Sequence, residues 1–352
     1  MTDIIVIGGG IAGISVAARL SAHAQVTLIE AESALGYHAS GRSAALFEEN
    51  YGCASVVALN RASAPYHQPY LSPRGFLLLA RAGEDAAFDA DLADLASIEI
   101  TLEQAHARVP ILNDQITRAA YHDSAQDIDT DRMIQDFAKV LRSNGGEIIT
   151  GAPVTGIEAG KNWSIRCGDD VLVGHTLVNA AGAWADEIAK LAGISPIGIT
   201  PCRRSVARIP APGGHDISGW PIFFGVGETW YAKPDAGKLL ISPADEDPVE
   251  PHDAWADDLV LAEGIERYSQ HVTEPVTRVE TTWAGLRSFA PDRTLVLGPD
   301  TANPQFIWCA GQGGYGFQTA PAASQLVAEL TLGHPSELDR DTITALSPKR
   351  FS

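Results

Sequence analysis

Gly8-Gly9-Gly10-Ile11-Ala12-Gly13 satisfies G-x-G-x-x-G, a spacing whose peptide N–H groups can receive a phosphate. Gly8 permits a tight turn, Gly10 lets a pyrophosphate approach the backbone, and Gly13 lets helix and strand pack closely. Glu30, 22 residues beyond Gly8, can accept hydrogen bonds from a ribose. A second stretch, Gly36 to Ala45, is small, polar and punctuated by glycine, so it reads as a loop. Arg42 within it suits either a second pyrophosphate contact or a place on the surface. Near the other end, Gly311-Gln312-Gly313-Gly314-Tyr315-Gly316 again precedes a helix and offers another anion or carbonyl receptor. Arg287 stands among Trp283, Leu286 and Phe289, where an unpaired guanidinium would cost several kcal/mol. Its fork matches a carboxylate, supplied by a ligand or by one of the chain's own acids. Arg203 and Arg204 are adjacent, so a strand would point them to opposite faces and only one could join the same site.

The elements that must position these groups are legible. Asp3–Ile7 is an apolar, β-branched run, small and aliphatic residues follow at helical spacing to Leu20, and Gln25–Ile29 is a second strand. Strand, glycines, helix, strand and terminal acid within 30 residues are the signature of dinucleotide binding, without deciding between FAD and NAD. Residues 129–142 form an amphipathic helix capped by Asp129, and Asn144-Gly145-Gly146 ends it. Strands are expected at 147–150, 163–167, 171–173 and from Thr176, with a helix over 183–191. Prolines, aromatics and alternating runs between Pro196 and Trp283 suggest an inserted antiparallel sheet. Residues 256–270 read as helix, 294–298 and 306–310 as strands, and 317–330 as helix. A glycine-rich helix start at both ends suits FAD, which needs one cradle for pyrophosphate and one for its ring.

The chain has 352 residues, about two domains' worth. Its net charge of −19 argues against nucleic-acid and polybasic membrane partners. The Ile4–Leu20 run, with four glycines, reads as neither a signal peptide nor a spanning helix. Four scattered cysteines support no disulfide framework or zinc site and fit a cytoplasmic location. The histidines lack H-x-x-x-H and H-E-x-x-H spacing, so no metal is expected.

The stretches G-Y-H-A-S-G-R-S-A-A (36–45), D-I-D-T-D (127–131), L-V-N-A-A-G-A-W (177–184), R-R-S (203–205), Y-A-K-P-D-A-G (231–237), W-A-G-L-R-S-F (283–289) and G-Q-G-G-Y-G-F-Q-T (311–319) resemble the DAO superfamily of FAD-dependent amine oxidoreductases, and within it the bacterial D-arginine dehydrogenases. The resemblance implies an α/β fold: a Rossmann-type FAD domain from residues 1–70, 120–195 and 285–352, and an inserted α+β substrate domain from 71–119 and 196–284. It implies oxidation of a D-amino acid at Cα by hydride transfer to flavin N5, the imino acid then hydrolysing to a 2-oxo acid and ammonia. The electron acceptor would be a quinone or dioxygen. Glycine, sarcosine or secondary-amine oxidation is the alternative within the superfamily, and a non-catalytic FAD-binding protein the alternative outside it.

By position, Arg287 would pair with the substrate carboxylate, Tyr231 would add a hydroxyl, and Arg204 would assist. Tyr231 reads equally well as a core tyrosine with a satisfied hydroxyl. Gly314 would offer a carbonyl to the amine, and Tyr51 would sit on a mobile loop over the site. Beyond the glycine motif and Glu30, the cofactor would touch Ala31, then Ser40, Gly41, Arg42, Ser43 and Ala44. Val154, Ala181, Gly182 and Trp184 would follow, and Gly313 to Thr319 (Gly313, Gly314, Tyr315, Gly316, Phe317, Gln318, Thr319) would face the flavin. Gly285 occupies the place of the cysteine that tethers flavin in some relatives, which implies non-covalent FAD.

Two departures bear on the side chain accepted. L-S-P-R (71–74) is followed by Gly75-Phe76 where D-arginine dehydrogenases carry the acid that receives the guanidinium, and the loop before Tyr51 reads Leu46-Phe47-Glu48. Phe76 and Leu46 favour an apolar or aromatic side chain. Glu48 and Glu49 would restore selection of basic substrates if the loop folds inward; adjacent loop acids are more often solvated.

Overall fold

The computed structural model describes residues 2–351, in two large sheets. The first sheet has eight strands. Its main order is Val154–Ala159, Trp163–Cys167, Asp170–Asn179, Thr2–Ile7, Val26–Ile29, Glu147–Ile149, and Phe306–Ala310 and Val296–Pro299 extend from the far half of Asp170–Asn179. The β-branched run at the N-terminus is continuous because both faces are covered. Ile4 and Val6 enter one core with helices Ile11–Leu20, Thr130–Ser143 and Gly316–Leu332. Ile5 and Ile7 enter another with Ile188 and Trp308.

The expected break between Val173 and Thr176 is absent. Asp170–Asn179 is one strand, antiparallel to Trp163–Cys167 along its first half and parallel to Thr2–Ile7 along its second. Gly174 pairs with both Trp163 and Thr2, and a methyl there would press on Ile5 at 2.8 Å. Strand Val154–Ala159 escaped the sequence reading because Thr155, Gly156 and Glu158 dilute its apolar pattern.

The second sheet has nine strands, mostly antiparallel as expected, with one parallel pair between Phe76–Arg81 and Ile222–Gly225. Strands Ile116–His122 and Thr281–Phe289 both belong wholly to it. The sequence boundaries at 119/120 and 284/285 therefore cut through strands. Strand ends are set by backbone partners: Thr281–Phe289 pairs along Thr200–Arg208 without interruption.

A short three-stranded sheet joins Leu46–Phe47, Gln126–Ile128 and Leu71–Pro73. Beside it, Lys233 and Arg74 converge on Asp127 at 3.0 and 2.6 Å. Lys233 also donates to the Ala44 carbonyl at 2.6 Å. The Y-x-K-P-D, L-S-P-R and D-I-D motifs thus meet in one largely buried ion cluster that fixes the Ala44–Phe47 chain. No helix among the described residues is long and apolar enough to cross a membrane.

Candidate active site

The glycine motif brings the first helix against two strands. Gly8 has φ +107°, and a side chain there would strike the Ala180 carbonyl; one at Gly13 would overlap the Gly8 carbonyl. These close approaches place the start of helix Ile11–Leu20 at the carboxyl ends of strands Thr2–Ile7 and Asp170–Asn179. Glu30, buried, accepts from the amides of Gly9 and Glu32 and so stiffens the turn. Ser40 Oγ accepts the Ile11 amide at 3.0 Å and so caps the helix start.

This cradle opens into a cavity of about 1030 Å³. Gly8, Gly10, Ile11, Ala12, Glu30 and Ala31 line one region of it. Ser40, Ser43, Ala44, Val154, Ala181, Gly182 and Trp184 line others, and Gly313, Gly314, Gly316, Phe317 and Gln318 bring the second glycine cradle to its wall. Four expected contacts are not on the wall. Gly13 is spent on packing, and Gly41 closes a turn by donating to Gly36 at 2.6 Å. Thr319 is fully buried with its hydroxyl on the Tyr315 carbonyl at 2.8 Å, and Tyr315 packs its ring 5.5 Å from Tyr51. Tyr315 lies between two wall glycines with its ring directed to Tyr51, and Thr319 is the residue after Gln318 at which the helix turns its side chain from the cavity, which spacing along the chain alone does not reveal.

Arg42 has a structural role as well. It reaches the wall, but its guanidinium donates to the carbonyls of Ala254 and Ala284 at 2.9 and 3.0 Å and pairs with Asp253. Those groups lie in and beside the strand Thr281–Phe289, so Arg42 ties the glycine loop to the second sheet with three of its five N–H donors. Gly285, on that strand, faces the same loop, with Ala39 and Arg42 as the nearest atoms to a methyl there.

Arg204 and Arg287 come from paired strands. Cys202 is opposite Arg287 and Gly285 opposite Arg204, so the two arginines share a face as diagonal neighbours. Arg203 points the other way, to Asp245 and Asp247 at 3.4 and 3.3 Å, as strand alternation requires. The guanidiniums of Arg204 and Arg287 converge on the carboxylate of Glu228, at 3.2 and 4.0 Å. The Tyr51 hydroxyl donates to the other Glu228 oxygen at 3.0 Å. Burial by itself would lower the pKa of Arg287, but the oxygens of Tyr51, Glu228 and Tyr231 around it hold it above the ordinary value. Burial and the Glu228 charge raise that of Tyr51, which stays a neutral donor. Gly314 lies flat against Arg287: a methyl there would sit 3.0 Å from the guanidinium carbon. All five expected catalytic positions (Arg287, Tyr231, Arg204, Tyr51, Gly314) thus border one cavity. Glu228, which completes the arrangement, carries no signal in the sequence: it lies on the Val226–Glu228 turn, three residues before the Y-A-K-P-D-A-G stretch and outside it.

The loop Glu48–Tyr51 folds inward, and it is strapped down. Asn60, fully buried, donates to the carbonyls of Glu48, Glu49 and Tyr51, and Gln318 accepts from the Glu48 amide and donates to Tyr51. Glu49 turns outward to Arg61, whereas Glu48 is 3% exposed and borders the cavity. Burial pushes the Glu48 carboxyl up to about 7. Among the described residues no cluster could hold a metal ion, and Cys309 is a core thiol pushed up to about 12 by burial.

Residues 3–330 match the model of the DAO family, FAD dependent oxidoreductase. The chain is 22% identical over 363 residues to the glycine oxidase of Bacillus licheniformis, covering 95% of this chain and 94% of that protein. It is 26% identical over 215 residues to hydrogen cyanide synthase subunit HcnC of Pseudomonas aeruginosa, of which the match spans 49%. The fold matches that of glycine oxidase from Geobacillus kaustophilus with a TM-score of 0.82 at 19% identity, covering 96% of each chain. It matches L-proline dehydrogenase from P. horikoshii with a TM-score of 0.84 at 22% identity, covering 99% of this chain and 97% of that one. The two glycine cradles and the buried acid Glu30 on the same cavity wall fit FAD.

Proposed function

Because the chain belongs to the DAO family of FAD-dependent oxidoreductases, we propose that it oxidises an α-amino acid of D configuration at Cα, giving an imino acid that water converts to a 2-oxo acid and ammonia. FAD, when bound non-covalently between the two glycine cradles, supplies the hydride acceptor for this reaction. The observation that carries the reading is the convergence of Arg204 and Arg287 on a single carboxylate inside the cavity that Gly8 and Glu30 border. Glu228 occupies that receptor in the free chain; a substrate carboxylate replaces it, and the Val226–Glu228 turn carries the displaced side chain outward.

The work of the protein is positional. The paired guanidiniums hold one end of the substrate and fix which Cα–H faces the cofactor. Tyr231 and Tyr51 add hydroxyls beside Arg287, and the Gly314 carbonyl receives the amine. No side chain needs to remove the Cα proton if the amine is neutral when the hydride leaves. Electrons then pass to a quinone or to dioxygen.

The test is anaerobic mixing of the FAD-loaded protein with matched D- and L-amino acids, glycine and sarcosine, following the flavin absorbance. Bleaching by D-isomers, with Arg287→Met raising KM at least tenfold and leaving the melting temperature near that of the parent, is expected. If no D-isomer bleaches the flavin, the reading is wrong. The likeness to glycine oxidases keeps a second reading, oxidation of glycine or an N-substituted amine, and rapid reduction by sarcosine would establish it instead.

A further inference from the structure

Among the described residues, Glu48 is the one acid bordering the cavity that the proposed chemistry does not use and that solvent does not reach. Its Oε1 accepts the Asn50 amide at 3.1 Å, while its Oε2 is sealed from water without a hydrogen-bond partner. The nearest polar atom, His122 Nε2, lies 3.1 Å away but is not aligned for a hydrogen bond and is itself unpartnered. His122 stacks 5.1 Å from Phe76 and is buried, which lowers its pKa and leaves it neutral and unable to balance the acid. A buried carboxyl with an open lone-pair side is costly unless a donor arrives to fill it.

The surroundings define the donor. Leu46, Phe76, Phe224 and Tyr231 belong to one apolar cluster that borders the cavity beside Glu48. The same Tyr231 stands next to Arg287, so the apolar wall connects the guanidinium pair to the buried carboxyl. An anion receptor at one end, an acid at the other and aromatic or aliphatic surface between them complement a molecule with a carboxylate, an apolar stem and a distal cation.

We propose that Glu48 is a specificity residue that receives the distal ammonium or guanidinium of a diamino-acid substrate, with Phe76 and Leu46 packing against its methylene stem. The proposal rests on the amino-acid reading above and adds the substrate class. It places the cation on a residue of the Glu48–Tyr51 loop, with Gly75-Phe76 left as apolar wall.

The experiment compares the parent, Glu48→Gln and Glu48→Thr as FAD-loaded proteins on two matched substrates, D-lysine and D-norleucine, which differ only by the terminal amine. The expected result is that kcat/KM for D-lysine falls at least tenfold in both variants while that for D-norleucine is unchanged or rises. An equal fall on both substrates, or a parent that prefers D-norleucine, overturns the subsite. Binding is read separately by the perturbation of the flavin spectrum with 1-aminopentane, which lacks a carboxylate and cannot turn over by this route. Weaker binding of the amine in Glu48→Gln supports the subsite even if no amino acid reduces the flavin, an outcome that would refute only the D-amino-acid reading. Equal amine binding in parent and variant refutes the subsite even if D-amino acids are oxidised.

Discussion

Replacing Glu48 by glutamine keeps the side chain's shape and the acceptor for the Asn50 amide but removes a proton-binding group that burial has shifted from 4.5 to about 7. The folded chain therefore holds this proton more tightly than the unfolded chain does. The stability that goes with it is complete below pH 4.5, is lost as pH rises from 4.5 to about 7, and changes no further above that. At roughly 1.4 kcal/mol per unit, the charged carboxylate costs about 3 kcal/mol at neutral to alkaline pH. The group is only 3% exposed, so solvent screening removes little of that. Denaturant unfolding of parent and Glu48→Gln across this range gives a difference in which the titrations common to both chains cancel. The variant is expected to gain about 3 kcal/mol relative to the parent between about pH 4.5 and pH 8. A difference that stays flat over the window, or that moves the other way, would refute the claim that Glu48 is a buried carboxyl without a compensating cation.

His122 tilts in the opposite direction. Burial lowers its pKa from 6.5, so its contribution is present above pH 6.5 and is lost as pH falls below it; His122→Gln should flatten the acid limb of the stability profile. Gly314→Ala should push the Arg287 guanidinium aside by a few tenths of an ångström, raising KM by about tenfold in steady-state assays while the FAD content is unchanged. Gly13→Ala should separate the first helix from the Gly8 carbonyl and leave the purified protein with little FAD, measured by the 450 nm to 280 nm absorbance ratio; a fully loaded variant would contradict the packing argument. Arg42→Met should lower the melting temperature by several degrees through loss of the tie to Ala254, Ala284 and Asp253, and it should do so equally with and without FAD if the guanidinium does not touch the cofactor.

Some of this molecule is written in short-range pattern. The Gly8–Gly13 turn, the Asp129-capped helix, the strand at 163–167 and the strand at 306–310 depend on φ freedom, a local cap, alternation and an unbroken apolar run, all of which act within a few residues. The opposite facing of Arg203 and Arg204 follows from strand geometry in the same way. What the linear chain did not carry is the pairing of distant groups. That Asp170–Asn179 is one strand depends on two different neighbours along its length, and that Arg42 binds carbonyls more than 200 residues away depends on where the second sheet lies. Glu48 and Glu49 are chemically alike and adjacent, yet Asn60 and Gln318 turn one into the cavity and leave the other in water. Glu228 reaches the arginines only because its turn is carried there by strand Ile222–Gly225. Residue type decides what each group can do. Which groups meet is decided by packing, since burial free energy is collected over the whole core and belongs to no single segment.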